Sequence, residues 1–470
     1  MNNEMFIKKL KKRKLLLTIS REAQNMPNEL WLVGGYIRDV SLGIPSKDYD
    51  IAITGNATKF SRILSKKLNG HIFYLDRERK EQRITLRGRR TIDIKPIKNI
   101  LKDLAERDFT VNAIAFDLKN LNTIYDPFNG FQDLKRKILK PVSNRIFNED
   151  PLRLLRLFRL AGVLNLSISK RTLNLAQKSA NKIDAVASER VRAELFALFE
   201  IEKSYKYLKI MDKIKLLKFL FPEVERGTQI PQKKYRSKNL KEHSLVCYDI
   251  MEKIITKKRY ATFVDFTSIF EKFVTKHKAI LKLSALLHDI GKLWTMKQDT
   301  SGSIHFHMHE KKGEIRFNQY YKKKLCLTNK ESKILSMLIL HHMRAHLLSR
   351  VDRITNHALY RFVKDGADAI PGILLLSYAD SISSCGGGKE TRKIEKTIMN
   401  IMKYYSLAKS LTPKKRMITG DDLITKFGLT PGPYFKKILD AVEKAQIGGK
   451  IKSKTQAYSF VKKIIQESVQ

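Results

Sequence analysis

The sequence predicts a mixed α/β head followed by a long all-helical region. Residues 29–140 alternate short apolar runs with turns, the pattern of strands in a modest sheet. The stretch Ala57–Leu68 keeps helical spacing and splits the first strands. After Asn148 the apolar residues recur at helical intervals almost to the end. A chain of 470 residues exceeds what one core organises, so several domains are expected.

In order, residues 1–28 form a basic lead-in with helical character. The apolar runs of the head are Leu30–Val33, Asp50–Ile53, His71–Leu75, Arg83–Leu86, Thr91–Ile97 and Val111–Leu118. Leu152, Leu155, Phe158 and Leu160 then mark one helix, and Val191, Leu195 and Leu198 another. From about 240 to 405 the chain is again helical and holds most of the histidines. Gly386-Gly387-Gly388 reads as a loop, and Thr412-Pro413 and Gly428–Pro433 punctuate a small final segment.

The 92 Lys and Arg against 47 Asp and Glu leave a formal net charge of +45. Such an excess favours a polyanionic partner, nucleic acid first. Cys247, Cys326 and Cys385 are scattered without a CxxC pair, which argues against a disulfide framework or a cysteine zinc site. No apolar run approaches the ~18 residues of a membrane span. The apolar stretch after Lys8–Lys14 is too short for a secretory signal, so a cytoplasmic protein is expected.

The most informative segment is Leu32-Val33-Gly34-Gly35-Tyr36-Ile37-Arg38-Asp39, followed by Asp48-Tyr49-Asp50. Apolar Leu30 to Val33 read as a buried strand, the glycines break it, and Tyr36–Leu42 reads as a short helix. Bare backbone N–H groups at such a corner suit a phosphate. Asp48 and Asp50 open the next strand, where i and i+2 side chains share a face ~6.6 Å apart. Carboxylates so placed can share two divalent ions ~3.5–4 Å apart. Together these features describe a metal-dependent site for a nucleoside triphosphate. Asp93, a charge inside the apolar strand Thr91–Ile94, is the candidate third carboxylate, although an ordinary edge-strand aspartate reads the same way. Gly34, Gly35, Arg38 and Arg107 would steady the phosphates; Arg38 and Asp39 also fit a local ion pair on a helix.

Further segments follow in order: Arg107-Asp108-Phe109-Thr110-Val111-Asn112-Ala113, Asp126-Pro127-Phe128-Asn129-Gly130 with Asp133-Leu134, Glu149-Asp150-Pro151-Leu152-Arg153-Leu154-Leu155-Arg156, and Ser188-Glu189-Arg190-Val191-Arg192-Ala193-Glu194-Leu195. With the GG-x-x-RD and DxD motifs, this series resembles the class II tRNA nucleotidyltransferase and bacterial poly(A) polymerase family. The resemblance covers nearly the whole chain and is strongest from 30 to 200. It implies a pol-β-like nucleotidyltransferase head, an all-helical neck, an HD domain and a small helical tail. It also implies two Mg²⁺ on catalytic Asp48 and Asp50 with Asp93, and CTP and ATP as substrates. Nucleotide contacts would come from Gly34, Gly35, Arg38, Arg107, Asn112, Asp150, Arg153 and Arg156.

Asp150 is a good N-cap and Pro151 suits a first helical position. Asp150 and Arg153, three apart, face one side of a helix. An acceptor beside a forked donor matches the amino group and ring nitrogen shared by C and A, and opposes the carbonyl of U and G. The sequence departs from the family twice. Glu106 stands where many members carry a second arginine. Asp93 and Arg107 lie only 14 positions apart, where fuller CCA-adding members have a longer segment linked to adding the terminal A. The resemblance therefore points toward the CC-adding subtype.

In the second half, His243, His288-Asp289 and Asp380 emerge from apolar helices, a donor set suited to divalent metals. The order H…HD…D resembles the HD phosphohydrolase superfamily, with His243, His288, Asp289 and Asp380 as ligands of Mn²⁺, Ni²⁺ or Mg²⁺. His309 and His342 are then available for a second metal or for phosphate. His346 and His357 read as surface. His305 and His307 alternate in a short strand, Ser303–His309, and receive no role. The final segment resembles the family's tail. Gly420 and Gly432 there could open helices toward a phosphate backbone or serve as ordinary caps. Lys436, Lys437, Lys450, Lys452, Lys454, Lys462 and Lys463 give it a basic surface suited to RNA.

The expected domains are a basic segment at 1–28, the nucleotidyltransferase head at 29–146 and a helical neck for nucleotide selection at 147–205. The HD domain follows at 206–405 and the RNA-binding tail at 406–470. The expected partners are the 3′ end of tRNA or another RNA, with CTP and ATP, and neither DNA nor a membrane. A poly(A) polymerase, or an HD-type metal phosphohydrolase with an RNA-binding front half, are the alternatives.

Overall fold

The computed structural model describes residues 3–411, 417–447, 450–451 and 453–467; Thr412-Pro413 and Lys452 lie outside them. The chain divides into two compact units, Met1–Pro222 and Glu223–Gln470.

The first unit is built on a seven-stranded mixed sheet. Its strands are β1 (Leu30–Val33), β2 (Asp48–Ile53), β3 (His71–Asp76), β4 (Glu81–Leu86), β5 (Arg90–Pro96), β6 (Ala115–Asp117) and β7 (Ile124–Tyr125). They lie in the order β3-β4-β5-β2-β1-β6-β7. Only β2 and β5 run parallel, and their register sets Asp50 opposite Asp93. Antiparallel β4 sets Arg83 opposite Asp93 on the other side. Every residue of β1 is buried, which explains its unbroken apolar sequence. The apolar run at 111–118 is only partly strand: Thr110–Asn112 forms a 3₁₀ turn before β6.

The helix Ala57–Leu68 has the expected bounds. Asn56 accepts the Lys59 N–H at its start, and Asn69 ends it in a left-handed conformation, φ 49°. Phe60 and Leu64 bury its apolar stripe against the sheet. On the other face, Trp31, Val33, Ala52, Ile100, Leu104, Ala113 and Ala115 form a cluster, with Trp31 against Tyr125 at 4.6 Å. The lead-in is two helices, Asn3–Lys11 and Lys14–Gln24, whose Phe6, Leu10, Leu16 and Ile19 are buried. The helices Arg153–Val163 and Ser188–Phe199 pack on each other beyond the sheet.

Among the described residues the second unit is helical apart from two small hairpins, Pro231–Lys234 with Ser237–Asn239 and Lys297–Gln298 with Ile304–His305. Its core is the set Leu240–Thr256, Thr267–Leu287, Asn329–Leu348 and Ile370–Cys385, packed on one another. Ile370–Cys385 is buried on nearly all sides, so its sequence is apolar all round. The final helices, Gly420–Phe427, Pro433–Ile447 and Lys454–Glu467, close over Ile418, Leu423, Ile438, Val442, Ala457 and Val461. Gly420 opens the first of these and Gly432 precedes the second. Among the described residues no helix is long and apolar enough to cross a membrane.

Candidate active site and histidine centre

Gly34 creates the first site. Its backbone sits at φ 78°, ψ −133°, a region closed to side chains, and turns β1 into the helix Gly35–Leu42. A Cβ at this position would lie 2.5 Å from an Arg107 guanidinium nitrogen and 3.2 Å from Asp50 Oδ2. The glycine is therefore needed for conformation and for space together.

Asp48 and Asp50 flank this corner on one face of β2. Thr91 donates to Asp48 Oδ1 at 2.7 Å. Asp50 is pushed up to about 6 by burial and by the Asp93 and Asp48 carboxylates, against the pull of Arg107. Asp93 is gripped by both arms of Arg83, Nε to Oδ1 and a terminal nitrogen to Oδ2, each at 2.6 Å. Asp48 and Asp50 offer carboxylates of the kind that hold divalent cations, whereas both oxygens of Asp93, opposite Asp50 in the sheet, are engaged by Arg83.

In front of these groups lies a cavity of about 580 Å³. Gly35, Arg38, Asp48, Asp50, Arg107, Asn112, Asp150, Arg153 and Arg156 all line it. Asp93 does not line this cavity; with Asp50 and Arg107 it lines a smaller one. Arg38 makes the local pair with Asp39 at 2.6 Å, and another of its nitrogens donates to Asn112 Oδ1 at 2.6 Å. Asn112 in turn donates to Asp108 Oδ1 at 2.9 Å, while Arg156 meets Asp108 Oδ2 at 2.8 Å. Burial opposes the Asp108 charge, but Arg156, Asn112 and the Phe109 N–H outweigh it and hold it below the usual carboxylate range. Arg107 is braced by Asp103, whose charge Lys95 also faces at 3.1 Å.

Asp150 lies in an extended conformation just ahead of the helix Arg153–Val163, which starts two residues later than Pro151 suggests. Its Oδ1 still accepts the Leu152 N–H at 3.2 Å, as a cap does. Its Oδ2 accepts from Arg190 at 2.9 Å. Arg153 donates to the Glu106 carbonyl at 2.6 Å and faces Glu149 at 3.4 Å. Asp108, Glu106 and Arg190 were not singled out from sequence as site residues, although each lines the cavity. Arg190 and Glu194, four apart on one helix, carried the signal: Glu194 is nearly buried and meets Arg159 at 2.5 Å.

The second unit gathers the histidines. His243, His288 and Asp289 converge, as do Asp289, His309 and His342, with potential ligand atoms in each group within 4.8 Å of one another. Asp289 joins the two groups. Its Oδ2 faces His243 and His288 at 3.4 and 3.3 Å, and its Oδ1 faces His309 and His342 at 3.1 and 3.6 Å. Asp380 Oδ1 lies 3.1 Å from His243. Gly291 makes this approach possible, since a Cβ there would fall 1.9 Å from the His309 carbonyl oxygen.

His288, His309 and His342 each give Nδ1 to a carbonyl three residues back, on Ala285, Phe306 and Ile339. That fixes Nε2 as the atom turned inward. Among the described residues, buried His288 Nε2 and His243 Nδ1 have no hydrogen-bond partner. His342 is pushed down to about 4, chiefly by burial. Burial also opposes the His288 charge, but Asp289 and Asp380 outweigh it and raise it to about 9. An inward ring of imidazole nitrogens around a shared carboxylate fits a divalent cation.

His346 is not a surface residue as expected: its Nε2 lies 3.1 Å from Asp380 Oδ2, and its side chain is 15% exposed. One helical turn beyond His342 places it on the same inward stripe. His357 is exposed. His305 pairs with Asp299 at 2.7 Å in the exposed hairpin, and His309 begins a helix rather than ending a strand. Two lysines also enter the centre. Lys292 reaches Asp289 Oδ2 at 2.5 Å, and Lys234 reaches His243 Nε2 at 3.2 Å.

Comparison with known proteins bears on both units. A "Poly A polymerase head domain" model matches residues 30–98 and 77–140. A model for the RNA and SrmB-binding site of polymerase A matches 165–227, and a tRNA nucleotidyltransferase domain 2 model matches 389–461. The chain is 28% identical over 446 residues to an A-adding tRNA nucleotidyltransferase of Deinococcus radiodurans, covering 93% of this chain and 96% of that protein. It is 27% identical over 455 residues to a CC-adding tRNA nucleotidyltransferase of Thermus thermophilus, covering 93% of each. Among solved structures, a CCA-adding enzyme in complex with CTP superposes with a TM-score of 0.68 at 18% identity, over 99% of both chains. A Thermotoga maritima CCA-adding enzyme bound to tRNA gives 0.62 at 19%, again over 99% of both. With residues of the GG-x-x-RD and DxD segment and of the Arg107, Asp150 and Arg190 motifs meeting around one cavity, this chain belongs to the tRNA nucleotidyltransferase and poly(A) polymerase family.

Proposed function

We propose that this chain adds C, A or both to the 3′ end of tRNA from CTP and ATP, without a nucleic-acid template. One observation carries the reading: Asp48 and Asp50, the latter against the side-chain-free Gly34 corner, line a single cavity together with Asp150 and Arg153. Divalent ions, Mg²⁺ in this reading, would supply charge neutralisation and an acidified 3′-hydroxyl at Asp48 and Asp50. The chain's own groups do the rest. The Gly35 helix start presents backbone N–H groups to phosphate. Arg38, Arg107 and Arg156 surround the triphosphate, with Asn112 and Asp103 holding two of them in place. Asp150 and Arg153 accept from the amino group and donate to the ring nitrogen that C and A share. The net charge of +45 suits the tRNA backbone.

We infer CC addition. Between β5 and Arg107 there is only Ile97–Asn99, the short helix Ile100–Ala105 and Glu106, which leaves no long segment of the kind associated with the terminal A. The deciding assay offers tRNAs ending before, within and after CCA, with CTP and ATP separately. Two C residues and no A supports the reading. A terminal A points to full or A-only addition, and a long tail on any RNA points to a poly(A) polymerase.

The inward imidazoles favour a second reading for unit two, a divalent-metal phosphohydrolase centre. Hydrolysis of 2′,3′-cyclic nucleotides by the full chain with Mn²⁺, Ni²⁺ or Mg²⁺, lost in Asp289→Asn, tests it.

A further inference from the structure

The two halves of the histidine centre differ in charge. One half consists of His243, His288, Asp289 Oδ2 and Asp380. Lys292 Nζ sits 2.5 Å from Asp289 Oδ2. Lys234 Nζ sits 3.2 Å from His243 Nε2 and 3.9 Å from Asp380 Oδ1. Two carboxylates here already face two ammonium groups. Lys234 Nζ thus stands beside both His243 Nε2 and the Asp380 carboxylate, in the space a metal bound by those two groups would need. The other half consists of Asp289 Oδ1, His309 and His342, with His309 Nε2 and His342 Nε2 3.4 Å apart. Among the described residues no ammonium group pairs with Asp289 Oδ1.

Resting on the reading of this cluster as a metal centre, we infer that unit two holds one divalent ion, on Asp289, His309 and His342. Lys234 serves as the built-in cation of the other half. The lysine reaches the centre through the hairpin that ends at Asn239, where the helix bearing His243 begins. A divalent ion in the first half would sit beside two ammonium groups; beside Asp289 Oδ1 it meets two imidazole nitrogens and a carboxylate oxygen that faces no ammonium among the described residues.

The test uses the full chain carrying Asp48→Asn and Asp50→Asn, so that the head contributes no cation site. After chelator treatment it is titrated with Co²⁺, with stoichiometry from elemental analysis and ligation from the visible spectrum. One ion per chain is expected, retained in His243→Ala and absent in His342→Ala. Lys234→Met, with Lys234→Gln as a second variant and melting curves as the check on folding, is expected to take up a second ion. Two ions with Lys234 in place overturn the inference, as does loss of the single ion in His243→Ala. Folded Lys234 variants that stay at one ion also overturn it. No ion in any variant removes the metal-centre reading itself, an outcome distinct from a wrong count.

Discussion

Arg190 donates to Asp150 across 2.9 Å, joining the helix Ser188–Phe199 to the residue placed to read the incoming base. Only one Asp150 oxygen is used this way, and the other accepts a backbone N–H. The pair thus fixes the carboxylate plane before any nucleotide arrives. Asp150→Ala is expected to cut the preference for C and A over U and G by roughly 10- to 100-fold, the range of about 1–3 kcal/mol per good base contact. Steady-state incorporation of all four nucleotides on one tRNA measures it, and unchanged selectivity would refute the assignment.

Asp48→Asn together with Asp50→Asn is expected to abolish transfer while leaving the fold intact. Asp50 is costly to ionise where it stands, so removing its charge should leave the melting temperature level or raised. Residual transfer near the unmodified rate would overturn the catalytic role.

The raised Asp50 value gives a pH signature. Its proton is held to about 6 in the folded chain against 3.8 for a free carboxyl, so ionising it between those values costs the fold stability. A divalent ion recovers that loss once the proton is gone. The apparent Mg²⁺ affinity, read from the rise in melting temperature, should be steady above about pH 7. It should then fall roughly tenfold per pH unit below 6. Equal affinity at pH 7 and pH 5 would show that Asp50 is not a ligand.

Arg156→Ala should destabilise the first unit, because it leaves the buried Asp108 Oδ2 without its cation. A charged acceptor so stranded costs about 1–3 kcal/mol. Asp108 titrates below the ordinary range in the paired state, so the stability it contributes is present at neutral pH and lost on acidification through that lower value. The gap between Arg156→Ala and the unmodified chain in urea melts should therefore narrow in acid.

Much of this site is local in the chain and was readable there. The Gly34 turn, the Asp48–Asp50 spacing and the bounds of Ala57–Leu68 depend on neighbours a few residues away. What escaped depends on register and packing. Arg83 meets Asp93 only because β4 pairs antiparallel with β5 in one alignment. Lys234 reaches His243 only through a hairpin whose two strands are too short to leave an alternating pattern. His346 reads as polar surface until the burial of Asp380, on another helix, supplies its partner.

Asn112 accepts a hydrogen bond from Arg38 with its oxygen and donates one to Asp108 with its nitrogen. The side chain is thus a one-way connector: neither end can be turned round without setting donor against donor and acceptor against acceptor. An aspartate of the same shape would face Asp108 with like charge, and a leucine would leave both neighbours unanswered. Position 112 is in this sense written in amide alone, although the residue itself touches neither a catalytic carboxylate nor the base-reading pair.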